Sequence, residues 1–354
     1  MVLCIVLRLM FATPEKCLDN PSHVGSGRQP LYACYSQLLA TVTLLLLPFP
    51  DDVPVLHSIL ERFKWPIAMW TRFAPEMKAR ICRNVQRIKA YSTFAGSGGF
   101  ETVMMLIMAG INFHLSSPLD WIPCATATEM DKTRQKVLKR LDPACCPDCI
   151  FGKIQERLPT FVFEDCHKLL PEDDACLVSK RLAYQKIDEI VQHCFDEMPH
   201  LCQYAPCAQH PDCQCQVVPP RDVADGEDPP AKRGALLRNW LFNGSSPVCT
   251  DASTFGSMSG DGGPAMWGQS VWKAELSVHK PTLVCTENVR GWEAKMQATA
   301  LPDHSTYSCM IDAKKSGDAY SRKRRLTSSL ADAEASLLFL FNLNHLVFEG
   351  ALLF

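Results

Sequence analysis

A short β-rich segment, AYSTF at 90–94, runs straight into Gly96-Ser97-Gly98-Gly99, and a helix is expected from Phe100 to Ile111. PCATATEM at 123–130 reads as a second strand, and Asp131 to Leu141 reads as a helix with alternating basic residues. Parallel neighbouring strands cannot be joined by a tight turn and need a crossover, usually a helix. Strand, glycine loop, helix, strand, helix is therefore the opening of a doubly wound α/β sheet. The same alternation returns later in the chain. RNWLFNG (238–244), PTLVCTE (281–287) and TYSCMID (306–312) read as strands, and Ala265 to Val278 reads as a helix.

Between these blocks the rhythm is expected to break at Cys145. Ten of the eighteen cysteines fall between Cys145 and Cys215, together with His167, His193, His200 and His210. One helix is expected there, from Arg181 to Met198. The stretch Gln216 to Arg233 is polar and proline-rich and reads as a linker. The organisation that follows is an N-terminal extension, partly helical, over 1–86 and a catalytic domain over 87–330. A Cys/His-rich insertion and linker interrupts that domain over 145–236, and an apolar tail spans 331–354. Within the extension, apolar residues recur at helical spacing from Val53 to Lys89, whereas residues 1 to about 50 show no period.

Composition excludes several classes. Hydrophobic residues at 47% and charged residues at 21% leave enough apolar surface for a sizeable core. The formal charge of −2 rules out a chain-wide basic field, so any grip on nucleic acid must come from local patches. The N-terminal MVLCIVLRLMF is interrupted by Arg8 and shows no clear cleavage site, and the apolar run Leu38 to Leu47 is too short to span a bilayer. A nuclear or otherwise intracellular protein without a membrane partner is the expectation, and its cysteines are then reduced. Oligomeric state is not legible.

Four sites carry potential chemistry. Glycines in the loop Phe94-Ala95-Gly96-Ser97-Gly98-Gly99 let backbone approach a ligand, and the helix that follows offers free N–H groups at its positive end. Glu129, 35 residues beyond Phe94 at the end of the next strand, is placed to accept hydrogen bonds from ribose hydroxyls. Taken alone it also reads as a carboxylate favoured by a helix N-terminus. Cys249 follows a strand in a loop of small residues, where a thiol can be activated, and Glu287 ends the next strand at the same sheet edge. The basic run Ser321-Arg322-Lys323-Arg324-Arg325 follows another expected strand and reads by itself as a solvated face or a localisation patch. No GxxxxGK[ST] occurs, so a P-loop is not supported. In the Cys-rich region, CCPDC (145–149) and Cys207-x2-His210-x2-Cys213-x-Cys215 are soft ligands at irregular spacing. A reduced Cys-rich loop is favoured there over structural zinc, and no metal ligand is assigned.

FAGSGGFE (94–101), TEMD (128–131), VCTDAS (248–253), ENV (287–289) and SRKRR (321–325) stand in the order of the conserved motifs of the cytosine-5 DNA methyltransferases, which the chain resembles over about residues 87–328 outside the insertion. The resemblance implies a Rossmann-like, mostly parallel sheet that binds S-adenosylmethionine. Phe94, Ala95, Gly96, Ser97, Gly98 and Gly99 would cradle the methionine part, Glu129 would hold the ribose and Met130 would pack on the adenine. Cys249 would attack carbon 6 of a flipped-out cytosine. Glu287 would contact ring nitrogen 3 and the exocyclic amine. Lys323 and Arg325 match the basic pair near the nucleophile. The implied partner is DNA, with RNA as a variant.

The sequence also departs from the pattern. Val248 precedes Cys249 where the family has proline, with Pro247 one position earlier. Lys153 in IFGKI stands where an aspartate usually meets the adenine amine, and Ser321 replaces a glutamine. The chain ends soon after the basic motif, so a C-terminally incomplete domain is the expectation. A degenerate, non-catalytic methyltransferase-like binding protein is the alternative in a different class.

Overall fold

The computed structural model describes residues 88–113, 115, 124–141, 146–220, 240–247, 260–289, 295–312 and 323–331, together with Pro75, Lys78, Ala79 and Cys82, which are helical. The expectations for residues 1–50, for most of 53–87, for Cys249, for the linker beyond Pro220 and for the tail beyond Ala331 lie outside the described residues.

A seven-stranded sheet organises the described chain. In sequence order its strands are β1 (Ile88–Thr93), β2 (Cys124–Thr128), β3 (Cys149–Phe151), β6 (Trp240–Ser245), β7 (Leu283–Val289), β8 (Ser305–Asp312) and β9 (Lys323–Leu330). In space they lie β3-β2-β1-β6-β7-β9-β8. All neighbours from β3 to β7 are parallel, whereas β9 runs antiparallel to both β7 and β8. A small antiparallel hairpin, β4 (Tyr204–Pro206) and β5 (Gln214–Gln216), forms a second, two-stranded sheet that meets the edge of β3 through a Phe151–Cys207 bridge. The helices are α1 (Gly99–Asn112), α2 (Lys132–Leu138), α3 (Thr160–Lys168), α4 (Leu177–Glu197), α5 (Met266–His279) and α6 (Lys295–Ala300). This is the doubly wound, Rossmann-like fold that the resemblance implies, with a Cys-rich region beside it.

Strand alternation sends successive side chains to opposite faces, and each face has its own cover. On one face the Ser92 hydroxyl donates to Glu101 of α1, and the ring of Phe100 lies against Gly244 of β6. A Cβ at Gly244 would sit 2.1 Å from that ring, so only glycine admits α1 so close. Leu138 of α2 packs with Ala127 and Ile150. On the other face, Val284 of β7 meets a large apolar core drawn from α3, α4 and α5, including Val162, Ile187, Val191, Phe195, Val271 and Trp272. Trp272 is fully buried, and its indole N–H donates to Asn243, whose amide donates in turn to Thr93.

Two expectations need correction. The α/β rhythm does not break at Cys145, because Cys149–Phe151 is the third strand of the main sheet, paired with β2. Three residues are too short to show a period, and the cysteines around them mask the signal. The basic run is also not simply a patch that follows a strand, because the residues from Lys323 are themselves a strand. They begin β9, which fills the gap between β7 and β8.

Candidate active site and a cysteine–histidine cluster

β1 and β6 lie side by side in parallel, with Thr93 opposite Ser245. Chain order moves away from this pair in both directions, to β2 and β3 on one side and to β7 on the other. Ligands of open α/β sheets bind in the crevice outside the carboxyl ends of the strands at such a reversal. The loop from Phe94 to Gly99 leaves β1 at that point, and the segment through Pro247 leaves β6 beside it.

The loop's conformation is unusual and well supported. Phe94, Gly96 and Gly98 have φ of 58°, 63° and 88°. The left-handed region costs a non-glycine residue, so Phe94 must be held there by its surroundings. Its ring is anchored in the α3–α5 core, and the Ala95 N–H donates to the Thr128 carbonyl at 2.9 Å. Gly98 caps α1 and is crowded by Leu138 and Leu141, whereas a Cβ at Gly96 would meet nothing within 4 Å. One glycine serves close packing and the other borders open space.

Glu129 is buried at the end of β2 and ties the loop together. Its carboxylate accepts from the Gly96 N–H at 2.7 Å and from the Asp131 N–H at 2.8 Å. A carboxylate offers about four lone-pair sites, so two remain for other donors. Gln135 of α2 donates to the Glu129 carbonyl at 2.5 Å and fixes its backbone. Asp131 caps α2 by accepting from Thr133 and Arg134, and those N–H groups, Arg134's foremost, hold its carboxyl below the usual range. Met130 is 61% exposed beside them, an apolar side chain turned outward at the strand end. Lys153 is exposed just beyond β3, where a 3-10 turn (Ile154–Arg157) begins.

Behind the loop lies a carboxyl that sequence reasoning did not single out. Glu101 is fully buried in the first turn of α1, and burial, partly offset by the Ser92 hydroxyl, raises its pKa to about 7. The unfolded chain releases this proton near pH 4.5, and the folded chain holds it to about pH 7. Stability should therefore fall as pH rises through that window, at about 1.4 kcal/mol per pH unit for this one group. Glu101→Gln removes the effect. Urea unfolding at pH 5 and pH 8 should show the variant gaining roughly 2–3 kcal/mol relative to wild type across that interval. An unchanged difference would mean that Glu101 is not held in its neutral form.

At the other side of the crevice stand Glu287 and Asn288 on β7. The Asn288 amide donates to the Pro247 carbonyl at 2.9 Å and so ties β7 to the segment leaving β6, two residues before Cys249. Glu287 pairs with Arg324 of β9 at 2.6 Å. Strand alternation puts Arg325 on the opposite face of β9 from Arg324, with Asn288 as its direct neighbour across the strands. The cation beside Glu287 is thus Arg324, a residue the sequence did not distinguish within its basic run. Cys249 itself is outside the described residues.

A second cluster lies at the β3 edge of the sheet. Cys149 opens β3, Cys207 follows β4 and bridges to Phe151, His210 sits in the hairpin turn and Cys215 lies in β5. The imidazole Nδ1 of His210 is 3.6 Å from Cys149 Sγ, 3.5 Å from Cys207 Sγ and 3.5 Å from Cys215 Sγ. All four ligand atoms lie within 4.8 Å of one another, and none of the three thiols is in a disulfide. Cys146 and Cys213, which look equivalent in sequence, are not in this group. Burial opposes ionisation of Cys207, yet the backbone N–H groups of Gln209, His210 and Ile150 favour its thiolate and bring its pKa down to about 7.

No protein-family model matches this sequence, and no curated protein matches it. Among solved structures the chain is similar to a prophage-encoded protein of E. coli described as a DNA modification methyltransferase, at 12% identity and TM-score 0.32, over 69% of this chain and 46% of that one. It is similar to the S. pombe Dnmt2 methyltransferase at 11% identity and TM-score 0.32, over 69% and 50%. It is also similar to the Entamoeba histolytica methyltransferase EhMeth at 10% identity and TM-score 0.30, over 69% and 53%. The chain spans about half the length of these proteins. Similarity of this degree carries no functional argument, which rests on the chain's own residues. Among the described residues no helix is long and apolar enough to cross a membrane.

Proposed function

We propose that this chain transfers a methyl group from S-adenosylmethionine to carbon 5 of cytosine in nucleic acid, DNA in the first instance, through a covalent adduct at Cys249. The observation that carries the reading is the Glu129 carboxylate bound to the Gly96 N–H, at the end of β2 and beside an open, positive-φ glycine. A nucleoside-type cofactor fits that arrangement. Gly96 leaves room for it, Glu129 retains acceptor capacity for ribose hydroxyls, Met130 offers an exposed apolar surface to a base, and the loop from Phe94 to Gly99 supplies backbone. When bound, the cofactor supplies an electrophilic methyl group.

The protein's own part is to make cytosine a nucleophile. Carbon 5 is unreactive in the aromatic ring, and thiolate addition at carbon 6 converts the ring into an enamine whose carbon 5 carries electron density. Once carbon 5 is methylated, loss of its proton to base and expulsion of the thiolate from carbon 6 restore the ring and free the enzyme. Cys249, four residues beyond Ser245 on the segment that Asn288 ties to β7, is the assigned thiol. Glu287 is assigned to nitrogen 3 and the exocyclic amine, where a proton or hydrogen bond stabilises the charge that addition builds. Arg324 sets the Glu287 carboxylate in place. Lys323 and Arg325 are assigned to the phosphate and the thiolate. The base must leave its stack, since carbon 6 is not open to attack within it. Exposed Lys132, Arg134, Lys136 and Arg140 on and after α2 offer a local basic face for the backbone.

Calorimetry with S-adenosylmethionine tests the cofactor half. Wild type should bind, and Glu129→Ala should lose on the order of 1–3 kcal/mol, about fivefold to 150-fold in Kd, because ribose hydroxyls lose their acceptor and the Gly96 N–H loses its partner. Equal binding by the two proteins would remove Glu129 from the site. Labelled-methyl transfer to cytosine in duplex DNA and in RNA tests the other half, and transfer to neither would sink the proposal.

A further inference from the structure

The cluster at the β3 edge is independent of the methyl-transfer reading, and its geometry asks for an explanation of its own. Three sulfur atoms surround a single ring nitrogen at 3.5–3.6 Å. An imidazole nitrogen has one in-plane site, either a proton to give or a lone pair to share. It can make one hydrogen bond of good geometry, not three in three directions. Chance crowding of thiols is also a poor account, because the residues come from β3 and from the hairpin, 58 positions apart in sequence.

A tetrahedral metal ion accounts for all of it. Zinc bonds of about 2.3 Å to sulfur and about 2.05 Å to nitrogen, at tetrahedral angles, put each sulfur about 3.6 Å from the nitrogen. The observed separations are 3.6, 3.5 and 3.5 Å. The same geometry puts sulfurs about 3.8 Å apart, within the 4.8 Å limit that encloses the whole set. We infer that Cys149, Cys207, His210 and Cys215 form a structural zinc site, closed by four protein ligands.

The surroundings fit a ligand set rather than loose thiols. The Gln209 N–H points at Cys207 Sγ at 3.4 Å, and the Gln209 side chain donates to the Pro147 carbonyl at 2.5 Å, bracing the turn that carries His210. Three thiolates and a neutral imidazole around a divalent ion leave a net charge of −1. The Lys139 ammonium sits nearby on the Ala208 carbonyl at 2.6 Å. Outer contacts of this kind orient ligands and tune their basicity. Zinc is favoured over iron because one histidine with three thiolates in a closed tetrahedron suits a borderline-soft ion without redox demands.

The site would act as a clip. β3 is the edge strand of the sheet, and an uncovered edge invites pairing with other chains. The hairpin covers that edge through the Phe151–Cys207 bridge and an Ala208 N–H bond to the Ile150 carbonyl at 2.7 Å. Neither strand of the hairpin exceeds three residues, and so small a hairpin is marginal without a further tie. Zinc would supply that tie.

The test uses the full chain purified without chelator from zinc-supplemented culture. Elemental analysis should find about one zinc per chain. Replacing the metal with cobalt(II) should give the strong visible bands of a tetrahedral thiolate complex together with sulfur-to-cobalt charge transfer. Cys149→Ser, Cys207→Ser and Cys215→Ser should each lower zinc content about tenfold or more, while Cys146→Ser and Cys213→Ser leave it unchanged. If the ligand variants fail to fold, the wild-type metal count and cobalt spectrum still decide. Wild type without stoichiometric metal, with iron in place of zinc, or with an octahedral cobalt spectrum would overturn the assignment. So would a loss of zinc in Cys213→Ser that matched the loss in Cys215→Ser.

Discussion

Replacing Cys249 with serine is expected to abolish methyl transfer, below the detection limit of a labelled-methyl assay. Serine keeps the shape of the side chain but not its nucleophile. At neutral pH a few per cent of an ordinary thiol is already thiolate, whereas a serine hydroxyl is a weak nucleophile unless a general base activates it. Binding of S-adenosylmethionine should be unaffected, since Cys249 is assigned to the base and not to the cofactor. The sharper form of the experiment uses DNA with 5-fluorocytosine. Wild type should form a complex that survives denaturing electrophoresis, because fluorine at carbon 5 prevents the elimination that would release the enzyme. The serine variant should form none. Trapping is stoichiometric and does not depend on fast turnover. A wild-type chain that binds cofactor but is not trapped would favour the non-catalytic alternative over catalysis at Cys249.

Breaking the buried ion pair between Arg157 and Glu275 should produce the largest loss of stability. Arg157 lies in the 3-10 turn after β3, and its guanidinium reaches Glu275 of α5 and donates to the Thr128 hydroxyl, one residue before Glu129. Both charged side chains are 1% exposed. Burial pulls the Arg157 pKa down to about 9, which leaves it charged at neutral pH. Removing one partner strands the other charge in the interior and should cost about 3–5 kcal/mol. Arg157→Met is therefore expected to lower the melting temperature by roughly 10 °C. Arg157→Met combined with Glu275→Leu should recover most of that loss, since apolar replacement of both partners removes the stranded charge. Equal destabilisation by the single and double variants would mean that packing, not charge, dominates. The single variant should also weaken cofactor binding, because Thr128 loses the group that fixes it beside Glu129.

Much of this architecture is legible in the sequence because its signals are local. β1, β2, β6, β7 and β8 are each announced by a run of apolar, aromatic or β-branched residues, and α1 and α5 by their length and their glycine-bearing starts. β9 is not, for a physical reason. Thr327, Ser328 and Ser329 are buried hydroxyls whose partners come from distant strands and helices, among them Ser308, Thr306 and Gln297. Polar residues that are buried by satisfying one another look like surface in a linear reading. Arg324 does not stand out in the sequence because only the β7–β9 register tells which member of a basic run faces Glu287. The same holds for the cysteine–histidine cluster. Spacing pairs Cys149 with Cys146, but folding pairs it with a hairpin far along the chain, and no local rule contains that choice.

The position of β9 has a consequence for how the chain is made. Among the described residues β8 has no neighbour in the sheet except β9, and β9 is the last of the strands β7, β8 and β9 to leave the ribosome. Until Lys323–Leu330 has been synthesised, β7 presents an open edge and Ser305–Asp312 has nowhere to dock. Nascent chains with unpaired strand edges are prone to capture by one another or by chaperones. Completion of the sheet is thus a late event that inserts one strand between two others. The β7–β9–β8 end should be slower to mature than the β1–β2–β3 end, whose strands pair largely in the order in which they emerge.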